Sequence, residues 1–399
     1  MTSDPRPALP SRGVRSAAGA KVPAALPSGG AARIHGGCTA GGLASPVVRG
    51  AVAVARDVVR VAIDAAAAVA RGQTAAACAF AAVALLAACA APPARALGVF
   101  PRPAAEPLFG ASEVEVVVLG VAQDGGVPHF GCEQWCCEGA RIDGRVLHPA
   151  ALGVVDKRVR KLLLVEATPA IEAQVDLLHE AAGVEGRGRQ PVDAVLTTHA
   201  HLGHYLGLAW FGREVAGSRE VPLHCSPRFG EFVRGNAPWK QLVALRQLDV
   251  RPFVVGEAFA PWPGLMVTPI AVPHRDEFSD TMAFVLQGPR RRLLFVPDVD
   301  AWEKAPGLLE RLLDGVDVAY LDGTFYDGRE LPDRPLAEIP HPLMTRTMDR
   351  LADVAKARPG TIRFVHLNHT NPALHDAALR RQLEARGFAI AAQGERVGL

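Results

Sequence analysis

The run His199-Ala200-His201-Leu202-Gly203-His204 places three imidazoles within six residues, directly after the apolar segment Val192-Asp193-Ala194-Val195-Leu196-Thr197-Thr198. Val195 and Leu196 read as the end of a buried strand. His199 and His201 would then project together from its mouth, and His204 would return from the first turn of the segment Tyr205-Leu206-Gly207-Leu208. A strand end bearing three neutral nitrogen donors is a place to hold a divalent cation. The competing reading is a histidine-rich surface loop, but solvated loops seldom lie wedged between an apolar strand and an apolar helix start.

Single candidate ligands recur at the carboxyl ends of three further strand-like runs. Leu265 to Val272 leads to Pro273-His274, Arg292 to Val296 leads to Pro297-Asp298, and Thr361 to Val365 leads to His366, with His369 one turn on. A lone His or Asp after a strand is more often a cap or turn residue. Together the four positions supply separated histidines and a carboxylate able to bridge two cations, a donor set of mixed nitrogen and oxygen character.

The order of these residues resembles the metallo-β-lactamase superfamily, whose signature is His-x-His-x-Asp-His followed by a distant His, a bridging Asp and a final His. Within it, the phrases Gly120-Val121-Ala122-Gln123-Asp124-Gly125-Gly126-Val127-Pro128 and His366-Leu367-Asn368-His369-Thr370-Asn371-Pro372 are similar to those of the coenzyme pyrroloquinoline quinone synthesis protein B group. The resemblance runs from about Val114 to the carboxyl terminus. It implies a first metal site of His199, His201 and His274, and a second of His204, Asp298 and His366.

One departure matters. Gly203 stands where the signature has its Asp, so the resemblance implies a depleted second site that is completed, if at all, by another side chain. Asp276, Asp322 and His369 are the candidates, both as ligands and as groups that pass a proton to the leaving group. Hydrogen bonding behind the ligands, which orients them, or turn capping is the alternative role for Asp276 and Asp322.

Cys132, Cys136 and Cys137 cluster in the loop after the first strand, while Cys225 stands alone. Three thiolates so close suit a structural zinc site with His129 or Asp124 as fourth ligand. The synthesis protein B group resembles this in carrying a cysteine cluster there, with the spacing Cys-x-Cys-x-x-Cys in place of Cys-x-x-x-Cys-Cys. In an exported domain, a disulfide from Cys132 to Cys136 or Cys137 is the rival reading.

The first hundred residues have a different character. Residues 1–70, rich in Ala, Gly, Pro and Ser at their start, read as a disordered or over-extended leader. Residues 71–92 read as an export signal, with Arg71 as the positive flank and an apolar run from Ala75. Leu86-Ala87-Ala88-Cys89 resembles the lipobox of bacterial lipoproteins, in which the cysteine is acylated. The expectation is a start codon downstream of Met1 and a periplasmic or cell-envelope lipoprotein held to the membrane only by its lipid. A transmembrane anchor or an uncleaved Ala-rich linker remains open, as does a cytoplasmic location. The apolar stretch is at the short end for spanning a bilayer.

Residues 110–399 read as one α/β domain. Strands are expected at 114–119, 162–165, 192–198, 281–286, 293–296, 316–321 and 363–367. Helices are expected at 169–182, 205–215, 343–356 and 375–385. Two sheet halves, each covered by helices on one face, would make a four-layer αββα sandwich with the ligands along one edge. A formal net charge of +2 with scattered Lys and Arg gives no footprint for nucleic acid. Zinc in one or two copies, or iron or manganese, is the expected cofactor, and a small molecule the expected partner. An open metal site lowers the pKa of bound water to about 7, so hydrolysis of an ester, lactone or phosphodiester is the default chemistry. Iron-dependent oxygen chemistry in quinone-cofactor synthesis, or a non-catalytic metal-binding lipoprotein, are the alternatives.

Overall fold

A computed structural model of the protein describes residues 113–330, 335 and 338–399. The leader, the apolar segment and Cys89 lie outside the described residues. Among the described residues, no helix is long and apolar enough to cross a membrane.

The chain begins with strand β1 (Val114–Gly120), then helix α1 (Trp135–Asp143), β2 (Ala151–Asp156), β3 (Lys161–Val165), α2 (Ile171–Ala182) and β4 (Ala194–Leu196). Next come the short helix α3 (Leu202–Tyr205), a 3-10 segment over Leu206–Phe211, β5 (Val221–Cys225), α4 (Pro227–Gly235), α5 (Trp239–Ala244) and β6 (Leu248–Pro252). The second half carries β7 (Phe259–Trp262), β8 (Leu265–Ala271), β9 (Met282–Gln287), β10 (Arg292–Val296), α6 (Leu308–Leu313) and β11 (Val318–Asp322). It closes with α7 (Met344–Arg350), α8 (Ala352–Ala357), β12 (Ile362–Val365), α9 (Ala377–Ala385), β13 (Phe388–Ile390) and β14 (Arg396–Gly398).

These strands form two seven-stranded sheets, ordered β14-β1-β2-β3-β4-β5-β6 and β13-β12-β11-β10-β9-β8-β7. Each has an antiparallel half and a parallel half. β3 to β6 run parallel in one sheet, and β10 to β13 in the other. Parallel strands need both faces covered, and β3, β4 and β10 are accordingly almost unbroken apolar runs.

Three apolar clusters correspond to the three interfaces of a four-layer αββα sandwich. On β1 the alternation is explicit: Val116 and Val118 join Leu152, Leu163, Phe284 and Phe295 between the sheets. Val117 and Leu119 instead face Leu178 of α2 and Phe229 of α4. The third cluster packs β10 to β12 against Leu309, Leu312 and Met348. Helix α2 forms because Ile171, Val175 and Leu178 recur at helical spacing, and it ends at Gly183, whose φ of 67° provides the left-handed cap.

Two expectations are corrected. The helix placed at 205–215 is instead a 3-10 segment over Leu206–Phe211, after the four-residue α3 that ends at Tyr205; Gly207 packs so closely on the 167–168 backbone that an added Cβ would stand 2.3 Å from the Thr168 carbonyl oxygen. The helix at 343–356 is broken into α7 and α8 at Leu351, whose φ of −104° leaves the helical region.

Candidate metal centre

The histidine run leaves β4 and enters α3, so His199 and His201 lie on the connection while His204 sits inside the helix. Alternation in the extended stretch brings His199 Nε2 within 2.8 Å of His201 Nδ1. His274 follows β8, Asp298 follows β10, and together these four side chains offer ligand atoms within 4.8 Å of one another. Asp298 Oδ1 is 3.3 Å from His274 Nε2, and Oδ2 is 3.4 Å from His199 Nε2.

A second group adjoins the first through the same carboxylate. Asp298 Oδ2 lies 3.5 Å from His204 Nε2 and 3.9 Å from His366 Nε2. Asp124 completes this group, with Oδ1 at 3.3 Å from His204 Nε2 and 3.4 Å from His366 Nε2. A third cluster of possible ligands joins Asp298, Asp322, His341 and His366.

The groups fit a divalent cation by their chemistry. Both ring nitrogens of His204 and of His274, and Asp298 Oδ1, are buried without a hydrogen-bond partner among the described residues. Buried polar atoms are ordinarily satisfied, so a cluster of orphans with lone pairs converging on one space asks for a cation. In the metal-free protein the excess of negative charge is met by a proton, which a cation would displace. Burial works against charge on His204, yet Asp124, Asp298 and Glu166 outweigh it and hold the imidazole well above its ordinary pKa. For His199, burial and the neighbouring His204 push the pKa well below the ordinary value. Asp298 stays ionised far below the usual carboxylate range, because His366, His341 and the other imidazoles overcome its burial.

The supporting residues are as ordered as the ligands. Glu166, fully buried, accepts from the Thr198 N–H at 3.2 Å and faces His204 Nδ1 at 3.6 Å. Thr324 Oγ1 is 2.9 Å from His366 Nδ1 and donates to Asp322 Oδ1 at 2.7 Å. Carboxylates and hydroxyls placed behind metal-binding imidazoles fix the ring orientation.

Asp322 adjoins the centre as a member of the third cluster, and it also accepts from the Val299 and Thr324 N–H groups and contacts His341 Nδ1 at 2.8 Å. Two other candidates lie elsewhere than their sequence positions suggested. Asp276 is exposed and joins no ligand group, because the chain turns outward after His274; its carboxylate accepts from Thr281 Oγ1 at 3.3 Å. His369 belongs to the cysteine cluster. His366 takes a φ of 62°, which reverses the chain and carries His369 away to stack on His129 at 4.5 Å between ring centroids. Cys132, Cys136, Cys137 and His369 then offer ligand atoms within 4.8 Å, and all three cysteines are free thiols. The adjacent pair Cys136-Cys137 opens α1, where helical geometry leaves the two sulfurs 3.9 Å apart. His129 donates its backbone N–H to Cys137 Sγ and supplies no ligand atom to the group, and Asp124 lies instead beside His204 and His366.

His341, Glu166 and Glu277 were missed in the sequence. Glu277 Oε2 lies 2.9 Å from His201 Nε2. His341 sits between Pro340 and Pro342 with no strand before it, and Glu166 is a single acid at the end of an apolar run. Only the common position of Glu166 and His366, one residue past a buried strand, could have flagged the former.

Comparison with known proteins agrees with this geometry. The β-lactamase superfamily domain matches residues 161–367. Coenzyme PQQ synthesis protein B of Methylobacterium sp. (strain 4-46) is 30% identical over 309 residues, covering 70% of this chain and 98% of the relative. The crystal structure of zinc-bound PqqB from Methylobacterium extorquens superposes with a TM-score of 0.61 at 25% identity, over 71% of this chain and all of that one (100%). A diphosphatase of the PhnP family shares the fold at a TM-score of 0.51 and 23% identity, over 71% of this chain and 96% of that one. With the ligand order, the double sheet and these relatives in agreement, the chain belongs to the metallo-β-lactamase superfamily and is similar there to coenzyme PQQ synthesis protein B.

Proposed function

We propose that this chain is a metal-dependent hydrolase whose centre takes two divalent cations on either side of Asp298. One observation carries the reading: a single buried carboxylate faces both ligand groups, with His274 Nε2 3.3 Å from one oxygen and His199 and His204 Nε2 3.4 and 3.5 Å from the other. Nitrogen and oxygen donors without thiolate suit zinc, manganese or iron. When bound, such cations supply a water nucleophile at neutral pH and polarise the bond under attack.

The protein's own groups do the rest. His341 borders a cleft of about 370 Å³ shared with Gln123, Arg275, Lys304 and Phe325, a volume suited to a small molecule. Burial disfavours charge on His341, but in the metal-free protein Asp322 and Asp298 raise its pKa to about 9, and Asp322 stays beside it when Asp298 holds cations. His341 is therefore the candidate donor to the leaving group, and Asp322 positions it through the 2.8 Å contact at Nδ1. Arg275 and Lys304 in the cleft favour a substrate carrying negative charge, within the ester, lactone or phosphodiester class.

Nearly full-length similarity to coenzyme PQQ synthesis protein B supports a second reading, a step in making a quinone cofactor with iron and oxygen. A panel of phosphodiesters, lactones, thioesters and β-lactams, assayed with zinc-, manganese- and iron-loaded protein, separates the two. Hydrolysis that is lost to chelators and restored by metal supports the first reading. No hydrolysis, together with oxygen consumption by the iron form, overturns it. Export through the segment ending at Cys89 is part of the first reading, since quinone assembly would take place in the cytoplasm.

A further inference from the structure

We propose that this chain holds its second cation through Asp124, a ligand supplied by the loop after β1 in place of the helix that carries His204, and that Gly203 is the counterpart of that exchange. The inference rests on the two-cation reading of the centre and names the residue that completes it.

Three observations converge. First, the space is shared: a Cβ built on Gly203 would stand 2.1 Å from Asp124 Oδ1, 2.4 Å from its Cγ and 2.7 Å from its Cβ. No side chain fits at 203 while Asp124 is in place, and the carboxylate of Asp124 fills the volume a side chain at 203 would occupy. Second, Asp124 Oδ1 lies almost equidistant from His204 Nε2 and His366 Nε2, at 3.3 and 3.4 Å, and both of those imidazoles are buried. His204 Nε2 has no hydrogen-bond partner among the described residues. Third, the Asp124 loop is tied down at the centre by backbone bonds. Leu367 N–H donates to the Val121 carbonyl at 2.9 Å, Gln123 N–H donates to the Leu367 carbonyl at 2.8 Å, and Gly126 N–H closes the turn on the Gln123 carbonyl at 2.7 Å. Ala122 thus forms a parallel bridge to Leu367, next to His366, and Asp124 follows two residues on.

The exchange has a chemical consequence. The centre keeps two carboxylates, Asp298 and Asp124, but they differ in access: the Asp298 side chain is 4% exposed and that of Asp124 44%. Asp124 follows Gln123, which lines the cleft, so the second cation is the one that meets an incoming substrate.

The test is zinc per chain in the purified full-length protein, by mass spectrometry, with the cysteine cluster counted separately through Cys136→Ser. The expected result is two centre ions in the wild type and loss of one in Asp124→Asn, which keeps the size of the side chain and removes its charge. Gly203→Asp alone should lose it too, because the two carboxylates collide, and Asp124→Gly with Gly203→Asp should regain it. Circular dichroism keeps folding failures apart, and in folded Asp124→Asn the remaining second-site zinc should fall to chelator at about 10- to 100-fold lower concentration. An Asp124→Asn protein with the wild-type count overturns the role of Asp124. So does a wild type with one centre ion, which leaves the His199-His201-His274 site standing. Zinc confined to the cysteine cluster overturns the metal-centre reading as well.

Discussion

Glu166 and His366 occupy matching places on opposite sheets. Each is the first residue beyond a strand, β3 and β12 respectively, and each takes a left-handed backbone, with φ of 74° and 62°. Neither is a glycine, so each position carries local strain of about 1–2 kcal/mol that the surrounding structure holds in place. The turn aims Glu166 at the back of His204 and His366 at its front. Strain of this kind persists where geometry matters more than stability.

The strain at His366 is measurable without metal. His366→Ala and His366→Gly both remove the ligand, but only alanine keeps the disfavoured φ. In metal-free protein, urea denaturation should find the glycine variant more stable than the alanine variant by about 1 kcal/mol. Equal stabilities would mean that the backbone relaxes at no cost.

For Glu166→Gln, the amide can still accept from Thr198 N–H, while the charge facing His204 Nδ1 is lost. Zinc affinity at the second site should drop about 10- to 100-fold in chelator competition with little change in folding. An unchanged affinity would reduce Glu166 to a structural acceptor.

The cysteine cluster and the metal centre are separable through His369. His369→Ala and Cys136→Ser should each lower the metal count by the cluster's ion and leave the ions at His199, His201 and His274 in place. If His369→Ala instead removes the ion at His199, His201 and His274, the position of His369 in the cysteine cluster is wrong for the working protein. Burial and the adjacent Cys137 push the Cys136 thiol up to about 12. A metal must therefore displace protons from the cluster, and its affinity should fall as pH falls.

Asp156 gives the pH dependence of the fold itself. Its burial favours the neutral acid, but Arg158 and the Trp262 indole N–H, at 2.7 and 2.9 Å, outweigh that and lower its pKa. A depressed carboxylate pKa contributes stability that is present above its unfolded value, about 3.9, and is lost as pH falls through the lower folded value. Asp156→Ala should cost about 1–3 kcal/mol at neutral pH through the lost hydrogen bonds of a buried acceptor, and its difference from wild type should shrink as pH falls below about 3.9. A constant difference across that range would assign the loss to packing.

Expression in a Gram-negative host from a start near residue 60 tests export. The expected product is membrane-associated and labelled by palmitate, with Cys89→Ser removing the label. Soluble protein that retains the apolar segment by mass would move weight to the quinone-synthesis reading.

The ligands were legible where chemistry follows from spacing along the chain. His199 and His201 are separated by one residue in an extended stretch, and His274, Asp298 and His366 each follow an apolar run that is a strand in the structure. What escaped depended on direction. A residue three positions after His366 lies near it only if the chain continues as a helix, and the left-handed turn sends His369 elsewhere. Asp124 was visible as a loop acid, but its destination required knowing that residues 121–123 would pair with Leu367. β2 and β5 were missed because Gly153 and Pro222 interrupt the apolar runs that would have announced them.

Two loops each keep a foot in both metal sites. The first sends Asp124 to the centre and Cys132 to the thiols, and the second sends His366 to the centre and His369 to the thiols. An ion held by the thiols would therefore clamp the far ends of both loops, and the two ligands that the second cation would need would be fixed from both sides, by the sheet behind them and by the thiol cluster ahead.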